Sequence, residues 1–363
     1  MGRRRSKRPL GAAMAVAALL ALALVGCSGS TATPGTASTS PSGSTVAGSA
    51  LSTASAMAAT GSPLSVPFST ITVDGTPKIT VTVSIGGGDP VPVVLDTGSS
   101  GLIVASSAVG PETTSDGTPF TTTFTGGTVQ GTVESATVAI GGVSTANPIA
   151  IVVADTSGST TDFFSNGTQG IMGISSANGA TFAGQSIFAP NLQLPAPYNA
   201  GFALQIGADS PPTGTWTLGP AAVPAGAVTA TLTPIEPGGS PPPGYPGFAK
   251  SPSLCWTVGG AAQNCGVTDL DIGESAPGLN ISTFGSLAFD GKPYLAPGQT
   301  VTVAGPTGPP LWSFATGLTK GKDLVQLVQL GPVAQYNTGL PFFYGRTVTW
   351  DYTGGQVSIG PAS

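Results

Sequence analysis

Residues 93–104 read VVLDTGSSGLIV: a branched apolar run ends at one carboxylate, Asp96, and a Gly/Ser turn separates it from a second apolar run. Charged residues make up only 7% of the chain, so a carboxylate set between two apolar segments calls for a reason. Among apolar neighbours it must stay solvated, find hydrogen-bond donors or take up a proton. A carboxylate under those conditions suits acid–base chemistry.

The rest of the composition narrows what that chemistry is. The chain has no histidine, which removes the Ser-His-Asp triad, the Cys-His pair and every His-ligated metal site. Only three cysteines are present. Cys255 and Cys265, with nine residues between them, fit a structural disulfide in an exported chain better than a metal site or a nucleophile. Carboxylates, hydroxyls, amides and a few lysines are left to do any work.

The third cysteine belongs to the N-terminus. Arg3, Arg4, Arg5, Lys7 and Arg8 precede the apolar run PLGAAMAVAALLALALVG, and Leu24-Val25-Gly26-Cys27 closes it in the manner of a lipobox. Residues 1–27 are therefore expected to be a lipoprotein signal with lipidated Cys27. A spanning helix is the competing reading, but the run is interrupted by glycine, barely long enough, and leads into Ser/Thr-rich sequence. Residues 28–65 carry few large apolar side chains and predict a disordered Ser/Thr/Gly/Pro tether. Five of the 11 basic residues lie before Cys27, leaving 6 against 16 acidic ones, a formal net charge of −10 that argues against nucleic acid as a partner.

From residue 66 onward the apolar period is two. Ile79, Val81, Val83 and Ile85 alternate with Thr80, Thr82 and Ser84, and VESATVAIGG, GTWTLG, TVTVAG and GQVSIG repeat the pattern. With 54 glycines and 34 prolines punctuating it, this sequence predicts an all-β, mostly antiparallel protein with at most a short helix or two. The stretch EPGGSPPPGYPG at 236–247 reads as a loop.

The string apolar-Asp-Thr-Gly-Ser-Ser-x-Leu-x-Val resembles the first catalytic turn of pepsin-like aspartic proteases. Further segments resemble that family in order: FTGGTVQGTVESATVAIGGV (124–143) its flap hairpin, NGTQGIMGIS (166–175) the segment closing around the first turn, GTWTLGP (214–220) the strand opening the second lobe, and GLPFFYGRTVTWDYTGGQVSIGPA its closing strands. Within CGVTDLDIGESAPGLNI, Asp271-Ile272-Gly273 fits the second turn, 175 residues after Asp96, with Cys265 just upstream. The stretch YNTGLPFFYGRTVTWDY most resembles the PecA-type, PE-cleaving aspartic proteases of mycobacteria.

The resemblance implies a bilobal fold, an N-terminal lobe over 66–205 and a C-terminal lobe over 206–363, with the active-site cleft between them. It implies a monomer that hydrolyses peptides or cell-surface proteins through Asp96, Asp271 and a shared water, with no metal or organic cofactor. Thr97 would lock its hydroxyl into the opposite lobe, and Gly98 and Ser99 would donate to Asp96. Phe124, with Gly126 and Gly127, would cover the substrate where the family has a tyrosine.

The second turn departs from the pattern. Ile272 has no hydroxyl to knit the lobes, and Glu274 stands where a Ser or Thr would serve the carboxylate, adding a third acid that would titrate with the pair. Those departures also describe a peptide-binding lipoprotein without turnover. Asp269 is a weaker candidate, lacking a glycine at the required spacing, and is expected to be a solvated strand-edge acid.

Overall fold

The computed structural model describes residues 62–363 apart from 74, 125, 177–179, 183–184, 209–210, 235–247, 250 and 331–334. The signal with Cys27, the tether up to residue 61 and the insert 236–247 lie outside the described residues. The period-two expectation is met by strands throughout, and the one α-helix among the described residues is the single turn Ile281–Phe284. It is capped by the Asn280 side chain, which accepts from the Ser282 N–H at 3.0 Å.

The first strand, Leu64–Val73, begins inside the stretch expected to be tether. Val66 is buried and Leu64 packs against the core, so the apolar residues at the end of the tether have a face to bury. Its two halves serve different partners: Leu64–Phe68 pair with Gly214–Leu218, and Ser69–Val73 pair with Thr76–Thr80. From the second half a sheet continues through Thr76–Ile85, Val91–Asp96, Gly170–Ile174, Ser100–Ala105, Ile149–Ala154, Gly127–Ala136 and Thr114–Phe124. From the first half it runs through Gly214–Leu218, Gly201–Ile206, Arg346–Asp351, Gln356–Ile359 and Val228–Thr231. The boundary expected between residues 205 and 206 thus falls inside a strand, Gly201–Ile206, that is shared with C-terminal sequence.

A second sheet takes Pro310–Ala315, Thr300–Ala304, Ser253–Val258, Asn264–Asp269, Tyr336–Asn337, Gly278–Asn280 and Gln326–Val328 in that order. Cys255 and Cys265 face each other on its neighbouring strands and form a disulfide.

Both sheets contain the same local construction. Gly170–Ile174 lies between the two arms of the turn after Asp96, parallel to Val91–Asp96 and antiparallel to Ser100–Ala105, with Gly173 opposite Asp96. Tyr336–Asn337 lies between the arms of the turn after Asp271, parallel to Asn264–Asp269 and antiparallel to Gly278–Asn280. A strand covered on both edges and both faces must be apolar, which explains why Val93, Val94 and Leu95, and Ile171, Met172 and Ile174, are all buried. Farther out, Phe202 stacks on Trp350 at 4.6 Å, and the Tyr352 hydroxyl donates to the Ile174 carbonyl at 2.7 Å, fastening the shared strands to the segment behind the first turn.

Candidate active site

Asp96 ends its strand and is only 5% exposed. Its Oδ1 accepts the Gly98 N–H at 2.7 Å and its Oδ2 accepts the Ser99 hydroxyl. The Ser175 N–H in turn holds the Ser99 carbonyl at 3.0 Å, so the inserted strand props the turn from behind. These partners are local, within three residues of the carboxylate. They follow from the Asp-Thr-Gly-Ser order: a backbone N–H two residues on and a hydroxyl three residues on.

The second turn repeats half of this. Asp271 Oδ1 accepts the Gly273 N–H at 2.7 Å and the Glu274 N–H at 3.2 Å, and the Leu340 N–H holds the Glu274 carbonyl at 2.8 Å. Its outer oxygen has a different donor. Asn337 Nδ2, 66 residues further along, donates to Asp271 Oδ2 at 2.8 Å, and the Thr338 hydroxyl accepts the Asp271 N–H at 3.3 Å. The Glu274 side chain is turned aside, its Oε1 accepting the Ser275 N–H at 2.8 Å.

The turns face each other. A methyl group on Gly98 would lie 2.6 Å from the Asp271 carboxyl carbon, and one on Gly273 would lie 2.6 Å from that of Asp96. Neither position tolerates a side chain, because the opposite carboxylate occupies the space. Thr97 closes the pair: its hydroxyl donates to the Leu270 carbonyl at 2.6 Å and accepts the Ile272 N–H at 2.9 Å. Ile272, 1% exposed, packs into the core and returns no such bond.

Burial first, and then the charge of Asp271, raise the Asp96 carboxyl from 3.8 to about 8 against the opposing pull of Ser99 and Gly98, and the two carboxyls share a hydrogen bond. Glu274 is also held above the ordinary carboxylate range, by burial and then by Asp271, with Lys78 acting against the rise. Lys78 comes from the strand Thr76–Ile85 and donates to the Gly273 carbonyl of the second turn. A cavity of about 250 Å³ opens over the pair, bounded by Lys78, Glu274, Phe124, Gly126 and Phe163 among others.

Phe124 ends the hairpin strand Thr114–Phe124 and meets Phe163 edge-on at 5.0 Å. Thr128 and Thr160 exchange bonds of 2.9 and 2.8 Å just behind Gly127, tying the hairpin tip to the following loop. A Cβ on Gly127, whose φ is +137°, would come within 2.7 Å of the Thr160 carbonyl oxygen.

All the residues singled out around the two turns therefore lie together. Asp269 is the exception to its expected role, being 7% exposed and accepting from the Ser251 hydroxyl at 3.3 Å. It ends a strand inside the second sheet, where neighbours on both edges exclude solvent. Sequence reasoning missed Asn337, Thr338, Lys78 and Phe163. The signal for Asn337 was its polarity: an amide in a two-residue strand whose counterpart, GIMGI, is wholly apolar.

Residues 64–237 match the PE-PGRS C-terminal aspartyl peptidase-like domain. Over those residues, just under half of the chain, the protein is similar to an aspartyl-peptidase-like domain. Its two sheet-rich lobes resemble the aspartic proteinase of Irpex lacteus, with a TM-score of 0.59 at 16% identity over 83% of this chain and 98% of that one. At that identity the likeness concerns the fold of the domain. No curated protein matches the chain.

Proposed function

We propose that the protein is an aspartic endopeptidase in which Asp96 and Asp271 hold one water between them. The observation that carries this reading is the mutual approach of the turns, in which each glycine leaves room only for the opposite carboxylate. With its carboxyl raised to about 8, Asp96 holds the shared proton at neutral pH, and Asp271 is the member that acts as base. Asp271 takes a proton from water as the water oxygen attacks the peptide carbon, and Asp96 gives its proton to the carbonyl oxygen. Collapse of the tetrahedral diol breaks the C–N bond: one hydroxyl returns its proton to Asp96 as the carboxyl forms, and the nitrogen leaves with the proton that Asp271 took from water. Every step is proton transfer between groups already placed, which is the chemistry open to a chain without histidine.

The substrate is a peptide or protein segment lying extended under Phe124, and the PecA-like closing strands point to cell-surface proteins as the source. In this reading lipidated Cys27 holds the exported domain, as a monomer, on the outer face of the cytoplasmic membrane. Among the described residues no helix is long and apolar enough to cross a membrane. Cys27→Ala should move the protein from the membrane to the soluble fraction, and its retention would remove the anchor from the proposal.

The test of the chemistry is incubation of the full chain, Asp96→Asn and Asp271→Asn with a mixed peptide library from pH 3 to 7, with and without a statine-type inhibitor. Cleavage that the inhibitor blocks and either substitution abolishes is expected. Inhibitor binding without cleavage by the unsubstituted chain would assign a peptide-binding cleft instead, the reading that Ile272 and Glu274 favour.

A further inference from the structure

The two turns obtain the donor to their outer carboxylate oxygen in different ways. Asp96 uses the hydroxyl three residues on, Ser99. At the same offset from Asp271 stands Glu274, whose carboxylate bonds to Ser275. The outer oxygen of Asp271 is served by Asn337, which arrives from the strand inserted between the arms of the turn.

The orientation of that amide is fixed. Asn337 Oδ1 accepts the Gly339 N–H at 2.8 Å, so the NH₂ end has to face Asp271. An amide nitrogen donates and never accepts, whereas a hydroxyl rotates to do either. Ser99 therefore accommodates Asp96 with or without a proton on its outer oxygen. Asn337 accommodates Asp271 only as an acceptor.

Building on the endopeptidase reading, we infer that Asn337 is a positioning residue that replaces the donor missing from the second turn and, as an amide, keeps Asp271 the charged, water-activating member of the pair. The charged and titratable groups around that carboxylate are Asp96 from the first turn, Glu274 from its own, Lys78, which reaches the Gly273 carbonyl from the first sheet, and Asp162 and Lys320, which line the cavity over the pair. Asp96 and Glu274 are acids beside that carboxylate, and the Asn337 amide donates to the oxygen that Gly273 and Glu274 leave unserved.

Three variants of the full chain test the inference: Asn337→Asp, Asn337→Ala, and Asn337→Ala combined with Glu274→Ser. Asn337→Asp keeps an acceptor for Gly339 and substitutes oxygen for the donor. Asn337→Ala combined with Glu274→Ser moves the donor to the position that Ser99 holds in the other turn. Asn337→Asp should lower kcat about 10- to 100-fold, the loss that accompanies a charge-assisted hydrogen bond, with KM within about twofold of the parent and the acid limb of the pH profile displaced. The double variant should recover most of kcat and the parent pH limb. An Asn337→Asp variant as active as the parent, or a double variant no better than Asn337→Ala alone, would overturn the inference.

Thermal unfolding of the same proteins from pH 3 to 7.5 reads the contact even if the parent proves to have no peptidase activity. The deficit of Asn337→Asp should be wide at pH 7.5 and close toward pH 3, where the introduced carboxyl takes up a proton and can itself donate. A deficit equal at every pH would show a purely structural role and count against the inference, whatever the fate of the peptidase reading.

Discussion

The first turn supplies its carboxylate's donors from its own residues, and the second borrows one. Asp96 draws both of its donors from the next three residues, whereas Asp271 takes its outer donor from Asn337, 66 residues away, and has Lys78 of the first sheet against its turn, 195 residues from Gly273. The bridge across the pair is equally one-sided: the Thr97 hydroxyl donates to the Leu270 carbonyl and accepts the Ile272 N–H, and the Ile272 side chain gives nothing back. A carboxylate pair of this kind needs its donors in place, but the donors need not come from the same part of the chain on each side. A motif can decay at one position and be made good by a residue that the topology brings alongside.

The largest expected effect asks whether the two turns matter equally despite this difference. Asp96→Asn and Asp271→Asn should each lower kcat by at least about 10³-fold, since general acid and general base contribute separately. A large loss at only one of them would show that the reaction uses a single carboxylate.

Next in size is the one-sided bridge. Thr97→Val leaves the Leu270 carbonyl and the Ile272 N–H buried without their partner, and should cost about 2–4 kcal/mol in urea unfolding. A cost near zero would mean that the second turn holds its place without the first.

The raised Asp96 carboxyl gives a third comparison. A carboxyl at about 8 when folded and 3.8 when unfolded stabilises the fold fully below 3.8, and that contribution is lost as pH rises toward 8. Asp96→Asn removes this dependence, so its melting temperature should exceed the parent's by several degrees at pH 7.5, and the gap should narrow toward pH 4. A constant gap would place the shared proton elsewhere.

The smallest effect concerns the third acid. Lys78→Met removes the charge that opposes the rise of Glu274, so Glu274 should move further up, with a stability change within about 1 kcal/mol, seen as a displaced pH dependence of melting.

What was legible from sequence follows the same division. The first turn could be read because both local donors to Asp96, Gly98 and Ser99, lie within the string that contains it. The strands could be read because alternation at Ile79, Val81, Val83 and Ile85 reports a buried face, as found. Asp271 was legible through Gly273, but Glu274 looked like an uncompensated defect, because the compensating amide is adjacent only in the folded sheet. Asp269 was misread for a related reason: its spacing excludes it from the turn, yet spacing says nothing of the strands that enclose it. Leu64 was assigned to the tether on composition, when what counts is whether Gly214–Leu218 stands ready to pair with it.

The sheet that joins the two halves also shapes how the chain must fold. Leu64–Phe68 pair with Gly214–Leu218, that strand with Gly201–Ile206, and Gly201–Ile206 with Arg346–Asp351, so nearly 300 residues lie between strands of one continuous ladder. Such pairings require the closure of long loops before any bond rewards it, and they slow the search for the native state. The Tyr352 bond to Ile174 extends the same dependence to the segment behind Asp96. The segment behind Asp96 therefore gains one of its fastenings only when the last strands are in place, so the surroundings of the first turn depend on both ends of the domain.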